Sequence, residues 1–313
     1  MASINTNTAA MTALRSLTAT NMALDKTQDR VSTGLRVGTA ADNAAYWSIA
    51  TTMRSDSSAL STVQDALGLG AATVDVAYTA VDAAIKTVTA IKDKLTAAAQ
   101  PGLDRAKIQT EITELQASLT GISSAASFQG QNWLSVDSGA AGFNATKSVV
   151  SSISRAGGTF SVQTISIDTS TMVLFDADAA GEGIIDALRD SVTGAIGGDA
   201  AFSVATLDIS ALTDSVADLA ILNGYILGAD AAITEMAAGA TALGAAKSRI
   251  EIQQTFVRSL MDAIESGISQ LVDADMNEES TMLQALQVKQ QLGIQALSIA
   301  NASSQSILRL FQQ

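Results

Sequence analysis

The sequence predicts a mainly α protein: a long antiparallel helical-bundle rod, with N- and C-terminal helices paired as a coiled coil and a small α/β surface insert. Three observations predict it. Both ends carry apolar or small side chains at unbroken three- and four-residue steps, the spacing that stacks residues along one helix face. Helical spacing also fills long stretches between them, with a single proline in the whole chain. In the middle it gives way to two-residue alternation, the period of a strand. Composition agrees, because 47% of residues are hydrophobic yet only 4% are aromatic. Small and straight side chains suit closely packed helices better than a bulky core.

The first seam is Leu14, Leu17, Asn21, Leu24, Gln28, Val31 and Leu35. Thr33-Gly34 and Val37-Gly38-Thr39 then bend the chain, and Asp42 or Asn43 offers a cap for the next helix. From Tyr46 the pattern runs through Ile49, Met53, Leu60, Val63, Leu67, Val74, Val81, Ile85, Val88 and Ile91. A helix of about 55 residues would span roughly 80 Å. Gly68 and Gly70 stand where a neighbour could approach closely. Gln100-Pro101-Gly102 ends this helix, and Asp104 caps a shorter one bearing Ile108, Ile112, Leu115, Leu119 and Ile122. Ser127–Leu134 reads as a turn with an anchoring aromatic, Trp133.

Strand-like alternation follows in Ser148–Ser154 and Thr159–Ile167, a hairpin about Ala156-Gly157-Gly158. Phe202–Ile209 alternates too, with a short helix expected near Ile184–Val192. Between Asp137 and Asp218 eleven acids face three basic residues, so this insert is strongly acidic. Helical pattern resumes by about Leu219 and continues to Leu271.

The last helix carries the row Leu283, Leu286, Gln290, Gly293, Leu297, Ala300, Ser304, Ile307 and Phe311. A second row, Val288, Leu292, Ile299 and Leu310, lies on another face. One stripe suffices for a helix on a monomer's surface, so two imply partners on two sides. The N-terminal seam is the expected intramolecular mate, with Asn21 and Gln28 facing Gln290 and Ser304 as polar register-setting residues. Two ordinary helices of a globular core remain the alternative. The expected domains are a terminal coiled coil (1–43 with 271–313), a helical rod (44–136 with 219–270) and the insert (137–218).

Several function classes lose their chemistry. With neither His nor Cys, there is no Ser-His-Asp triad, Cys-His pair or H-E-x-x-H zinc helix. Carboxylate pairs abound, but no spacing singles one out, so no enzyme activity and no cofactor are expected. Asp273-Ala274-Asp275-Met276-Asn277 begins like a calcium loop, yet Glu278 replaces the turn glycine and Gln284 the closing Glu. Asp275 with Glu278 reads better as a helix capping box, and no metal site is expected. A net charge of −13 argues against nucleic acid or an anionic membrane as partner. No stretch approaches twenty uninterrupted apolar residues. Met1–Leu17 lacks the basic start and apolar run of a cleaved signal, so export through an unprocessed N-terminus is the expectation.

Three segments resemble one known family. Residues 29–50, DRVSTGLRVGTAADNAAYWSIA, are similar to the N-terminal segment of bacterial flagellins. SQLVDADMNEESTMLQALQVKQQLGIQALSIANASSQSILRLF resembles their C-terminal region, and SFQGQNWL the turn where their shaft meets a variable insert. DNAAYWSIATTMRSD and QGQNWL further resemble flagellins of rhizobium- and agrobacterium-type alphaproteobacteria.

The resemblance implies a secreted, extracellular filament subunit for swimming motility, exported by the flagellar type III apparatus. It implies an inner tube of paired termini, an outer tube of rods and a surface-exposed insert. The polymerisation seam would comprise Leu14, Leu17, Leu24, Val31, Leu35, Leu283, Leu286, Leu297, Ile307 and Phe311. Implied partners are other flagellin copies, sibling flagellins, an export chaperone on the C-terminal helix, and cap and hook-associated proteins. The segment read by plant immune receptors would hold Asp29, Arg30, Gly34, Arg36, Asp42, Asn43 and Ile49. Ala41, Asn43, Tyr46 and Trp47 depart from stimulatory versions, as does Ala90 in the stretch read by the animal receptor, so evasion of both is expected. A hook–filament junction protein shares helical termini and is the alternative function.

Overall fold

The computed structural model describes residues 7–156, 159–178, 183–197 and 200–310. Five helices and eight short or paired strands occur among them. The chain divides into two compact units, Met1–Ser58 with Leu260–Gln313, and Ala59–Ser259. The first unit contains α1 (Thr8–Thr33), α5 (Met276–Leu310), the beginning of α2 (Ala44–Ala98) and the end of α4 (Val216–Val272). The remainder of those two long helices belongs to the second unit, together with α3 (Arg105–Ala125) and all the strands.

In the Ala59–Ser259 unit the expected rod is a heptad bundle. Leu60, Val63, Leu67, Val74, Ala77, Val81, Ala84, Val88, Ile91 and Leu95 are all buried. They follow three-four steps, with Gly70 filling the one place between Leu67 and Val74. On α4 the buried residues Leu222, Ala229, Ala232, Met236, Leu243, Ala246, Ile250 and Val257 keep the same phase. Such a repeat of 3.5 residues keeps one face of each helix turned inward. Lys92 pairs with Asp230 and Lys247 with Asp75 at 2.5 and 2.6 Å, so the two helices run antiparallel. By length and composition α4 is apolar enough to cross a membrane. Its buried leucine, methionine, isoleucine and valine residues nonetheless fall on one seam, as in a bundle helix.

Asp104 caps α3 as expected, its carboxylate accepting from the Lys107 amide. Buried Arg105 closes this end of the unit by donating to the Ala98 and Leu212 carbonyls and pairing with Asp214 at 2.7 Å. The expected turn after α3 is a tight hairpin of β1 (Ser127–Phe128) and β2 (Gln131–Asn132). Gln129 and Gly130 both adopt positive φ, 50° and 76°, as the commonest two-residue hairpin requires. Trp133 is buried just beyond it.

The insert is built of ribbons. β3 (Ser135–Val136) pairs in parallel with β6 (Phe175–Asp176). The expected hairpin is present as β4 (Thr146–Ala156) and β5 (Thr159–Asp168), with a register shift between Val150 and Ser152. It rests on α2 at Gly70, where an added Cβ would lie 2.3 Å from a Val149 methyl. Two expectations fail here. Ile184–Val192 is no helix, because the Ile184 and Ile185 amides donate across to the Val173 and Leu174 carbonyls. The chain turns instead and enters β7 (Arg189–Asp190). Phe202–Ile209 is no long strand either. Only Ala200–Phe202 (β8) is extended, and Ser203–Thr206 closes a turn through a 3.2 Å amide–carbonyl bond. Its alternation reflects burial of Val204, Leu207 and Ile209 along an irregular path.

What fixes this part to α4 is a buried arginine over a run of glycines. Arg189 is fully buried and donates to Glu235 at 2.6 Å, to the Ile184 carbonyl at 2.7 Å and to the Gly194 carbonyl at 3.2 Å. A Cβ on Gly224 would meet the Ser191 carbonyl oxygen at 1.7 Å, so only glycine lets that loop approach.

Candidate functional site

The elements that sequence reasoning singled out meet in the unit of Met1–Ser58 and Leu260–Gln313. Asn7 opens α1 by accepting from the Ala10 amide. Its own amide group donates to the Ala300 carbonyl at 2.9 Å, tying the start of α1 to the far part of α5. Gly34 ends α1 in the left-handed region, φ 73°, with its N–H on the Arg30 carbonyl. Asp275 begins α5 by accepting from the Asn277 and Glu278 amides at 2.9 and 3.4 Å. Its oxygen caps the helix. Among the described residues no group of three or more metal-ligating side chains is assembled.

From these caps the two helices run antiparallel. Going along α1, Leu17 packs against Gly293, Asn21 accepts from Gln290 at 2.8 Å, and Arg30 pairs with Glu279 at 2.8 Å. Where the helices end, Leu35 bridges Asp273, and the Arg36 and Val37 amides donate to the Val272 carbonyl. Gly293 supplies the space that the Leu17 side chain fills, since a Cβ there would sit 3.2 Å from its Cδ1.

The inward row of α1 differs from the expected one by a single residue at alternate steps. Leu17, Leu24, Val31 and Leu35 are buried or half-buried, as are Leu283, Leu286 and Leu297 of α5. Thr20 and Thr27, each 5% exposed, occupy the steps between, whereas Leu14 is 53% exposed and Gln28 is also exposed. The Thr20 hydroxyl donates to the Ser16 carbonyl at 2.8 Å, so burying it leaves no unmet donor. Of the two polar pairings expected, Asn21 with Gln290 forms. Gln28 with Ser304 is incompatible with an antiparallel pair, since Gln28 lies level with the start of α5. The side chains of Ser304, Ile307 and Leu310, and all of Phe311, lie outside the described residues.

The second row of α5 is uncovered: Val288, Leu292 and Ile299 are 56, 58 and 70% exposed. Met11, Leu14 and Met22 make a comparable exposed row on α1.

Most of residues 29–50 hold structure together. Arg30 is spent on Glu279 and Gly34 on the helix cap. The Arg36 guanidinium donates to the Gln270 and Leu271 carbonyls at 3.2 and 3.1 Å, capping the end of α4. Asp42 accepts from Lys26 and from Thr39, and foremost the Lys26 bond holds its carboxyl below the usual range. Asn43 caps α2 through the Tyr46 amide. Asp29, Tyr46, Trp47 and Ile49 are exposed. The Arg30–Glu279 pair was not foreseen from the sequence, because its charges lie 249 positions apart and carry no local spacing signal.

Comparison with known proteins extends over the whole chain. Residues 4–138 match the bacterial flagellin N-terminal helical region, and residues 226–311 the bacterial flagellin C-terminal helical region. The chain is 50% identical to flagellin C of Rhizobium meliloti (strain 1021) over 330 residues, covering 100% of both. It is 42% identical to flagellin A of Rhizobium meliloti over 398 residues, and 44% identical to a flagellin of Brucella melitensis biotype 1 over 313, again with 100% of each chain covered.

Proposed function

Because the chain belongs to the bacterial flagellin family, we propose that it polymerises through its paired termini, with the outward rows of α1 and α5 as contacts between copies. It is a structural subunit of the flagellar filament, serves swimming motility, and works outside the cell. The observation that carries the finer reading is the double striping of α5. One row faces α1, and the other leaves Val288, Leu292 and Ile299 in solvent. Burying the exposed part of three such side chains gains about 1–2 kcal/mol each, multiplied along a polymer.

On this reading 1–43 with 271–313 form the inner tube, 44–136 with 219–270 the outer tube, and 137–218 the outer surface. Leu17, Leu24, Val31, Leu35, Leu283, Leu286 and Leu297 hold the pair that presents the outward rows, and Leu14 belongs to the outward side. Ile307 and Phe311 are assigned to the seam by the family resemblance alone. Before assembly an export chaperone covers α5, export runs through the flagellar type III apparatus, and cap and hook-associated proteins meet the growing polymer. Sibling flagellins co-assemble with this one. The exposed Tyr46 and Trp47 weaken recognition of residues 29–50 by the plant receptor. A full-strength response to a synthetic 29–50 peptide would contradict that part.

The seam is tested by Leu292→Asp together with Ile299→Asp in the full chain. Seeded with sheared filaments, this variant should give no polymer while keeping the wild-type circular dichroism of the folded Ala59–Ser259 unit. Wild-type filament yield would refute the assignment, and short capped collars from the unaltered chain would favour a hook–filament junction protein.

A further inference from the structure

The chain has no cysteine and nine methionines, so methionine carries all of its sulfur. The described methionines differ by unit, with Met53 and Met261 of the terminal unit half-buried. Met172 and Met236, in the Ala59–Ser259 unit, have no exposed surface. In the unit that pairs the termini, Met11, Met22, Met276 and Met282 expose 45, 67, 45 and 47%. A thioether in solvent is open to two-electron oxidants, whereas a buried one is shielded.

Met11 and Met22 share more than exposure. A separation of eleven residues is close to three turns of helix, so both stand on one line of α1 with Leu14 and Thr18 between them. That line points away from Thr20, Leu24 and Thr27, the residues α1 buries. Around Met22 the side-chain donors one turn away already have partners. The Thr18 hydroxyl donates to the Leu14 carbonyl at 2.9 Å, and Lys26 is ion-paired with Asp42 at 3.1 Å. Asp25, three residues on, offers only another acceptor. A sulfoxide oxygen at position 22 would therefore have to share the Lys26 ammonium with Asp42, beside the Asp25 carboxylate.

We propose that Met22, with Met11 beside it on the outward row of α1, is an oxidation site that sets whether a subunit can assemble. The reacting partner is hydrogen peroxide. The sulfur lone pair forms the S–O bond as the peroxide O–O bond breaks, sulfur is oxidised by two electrons, and the second oxygen leaves as water with both protons. This turns a flexible apolar contact into a polar one that resists burial. The effect on assembly rests on the reading that neighbouring copies cover this row. An acceptor buried without a donor raises the critical concentration about tenfold.

The test treats full-length monomer with hydrogen peroxide, maps sulfoxides by peptide mass spectrometry, and follows seeded polymerisation. Met22 and Met11 should oxidise well before Met172 and Met236, and the critical concentration should rise. The Met11→Leu, Met22→Leu variant, nearly volume-conserving, should assemble untreated and remain unaffected by peroxide. Met22→Gln, which adds polarity without oxidant, should reproduce the rise. Unchanged assembly of oxidised wild type would overturn the proposal, as would equal oxidation of Met172. A loss that persists in the leucine variant would move the sensitive sulfur elsewhere and overturn it too. No filament from untreated wild type would overturn the assembly reading itself, and this inference with it.

Discussion

Single residues set how closely the chain can approach itself, and three substitutions probe this. Gly224→Ala would drive a methyl into the Ser191 backbone carbonyl. It should destabilise the Ala59–Ser259 unit by about 1–3 kcal/mol, read from urea denaturation. Glu235→Ala would leave the fully buried Arg189 guanidinium without its carboxylate. Removing one partner of a wholly buried pair costs about 3–5 kcal/mol. Glu235 is 38% exposed, so about 2 kcal/mol is expected from the same measurement. Burial pushes the Asp186 carboxyl above its usual range, against an amide bond from Asp176 that acts the other way. A carboxyl raised in the folded state contributes most below its unfolded value near 3.9 and loses that contribution as pH rises through the folded one. Asp186→Asn should thus raise the melting temperature at pH 7 and have a smaller effect at pH 3. An equal effect at both would contradict the burial argument. None of these three sites was legible beforehand. Gly224 is one of 22 glycines, and the partners of Arg189 and Asp186 become neighbours only through irregular chain.

At the scale of elements, legibility followed periodicity. The helices of the rod could be read because a heptad repeat written over tens of residues leaves one solution for which face is inward. The β4–β5 hairpin was visible for the same reason at period two. The inward face of α1 was half legible. Leu17, Leu24 and Val31 fit two overlapping three-four rows, and leucine at 14 outweighed threonine at 20 and 27 on hydrophobicity alone. What decides between the rows is α5 itself, because Glu279 holds Arg30 and so turns Thr27, three residues earlier on the same face, inward. Around Ile184 and Phe202 short apolar runs looked regular, yet cross-chain hydrogen bonds set their backbone. If the Arg30–Glu279 pair fixes the register of α1 on α5, Arg30→Glu should weaken terminal pairing. Combining it with Glu279→Arg should restore that pairing. Hydrogen exchange of the α1 amides would show the loss and the recovery, and a double variant no better than the single would reject that role.

At the scale of the whole molecule, a subunit's architecture is tied to its polymer. The Ala59–Ser259 unit buries its own heptad seams and closes its insert with Arg189. The unit of the two termini pairs α1 with α5 and still leaves an apolar row on each. A filament protein needs this division, because a subunit that satisfied every apolar face within itself would have nothing left for a neighbour. The central claim is that the termini drive assembly. Negative-stain electron microscopy of purified protein seeded with sheared filaments tests it most directly, comparing the full chain with one lacking residues 1–35 and 275–313. Long filaments are expected from the full chain and none from the shortened one. Filaments of equal length from both would contradict it.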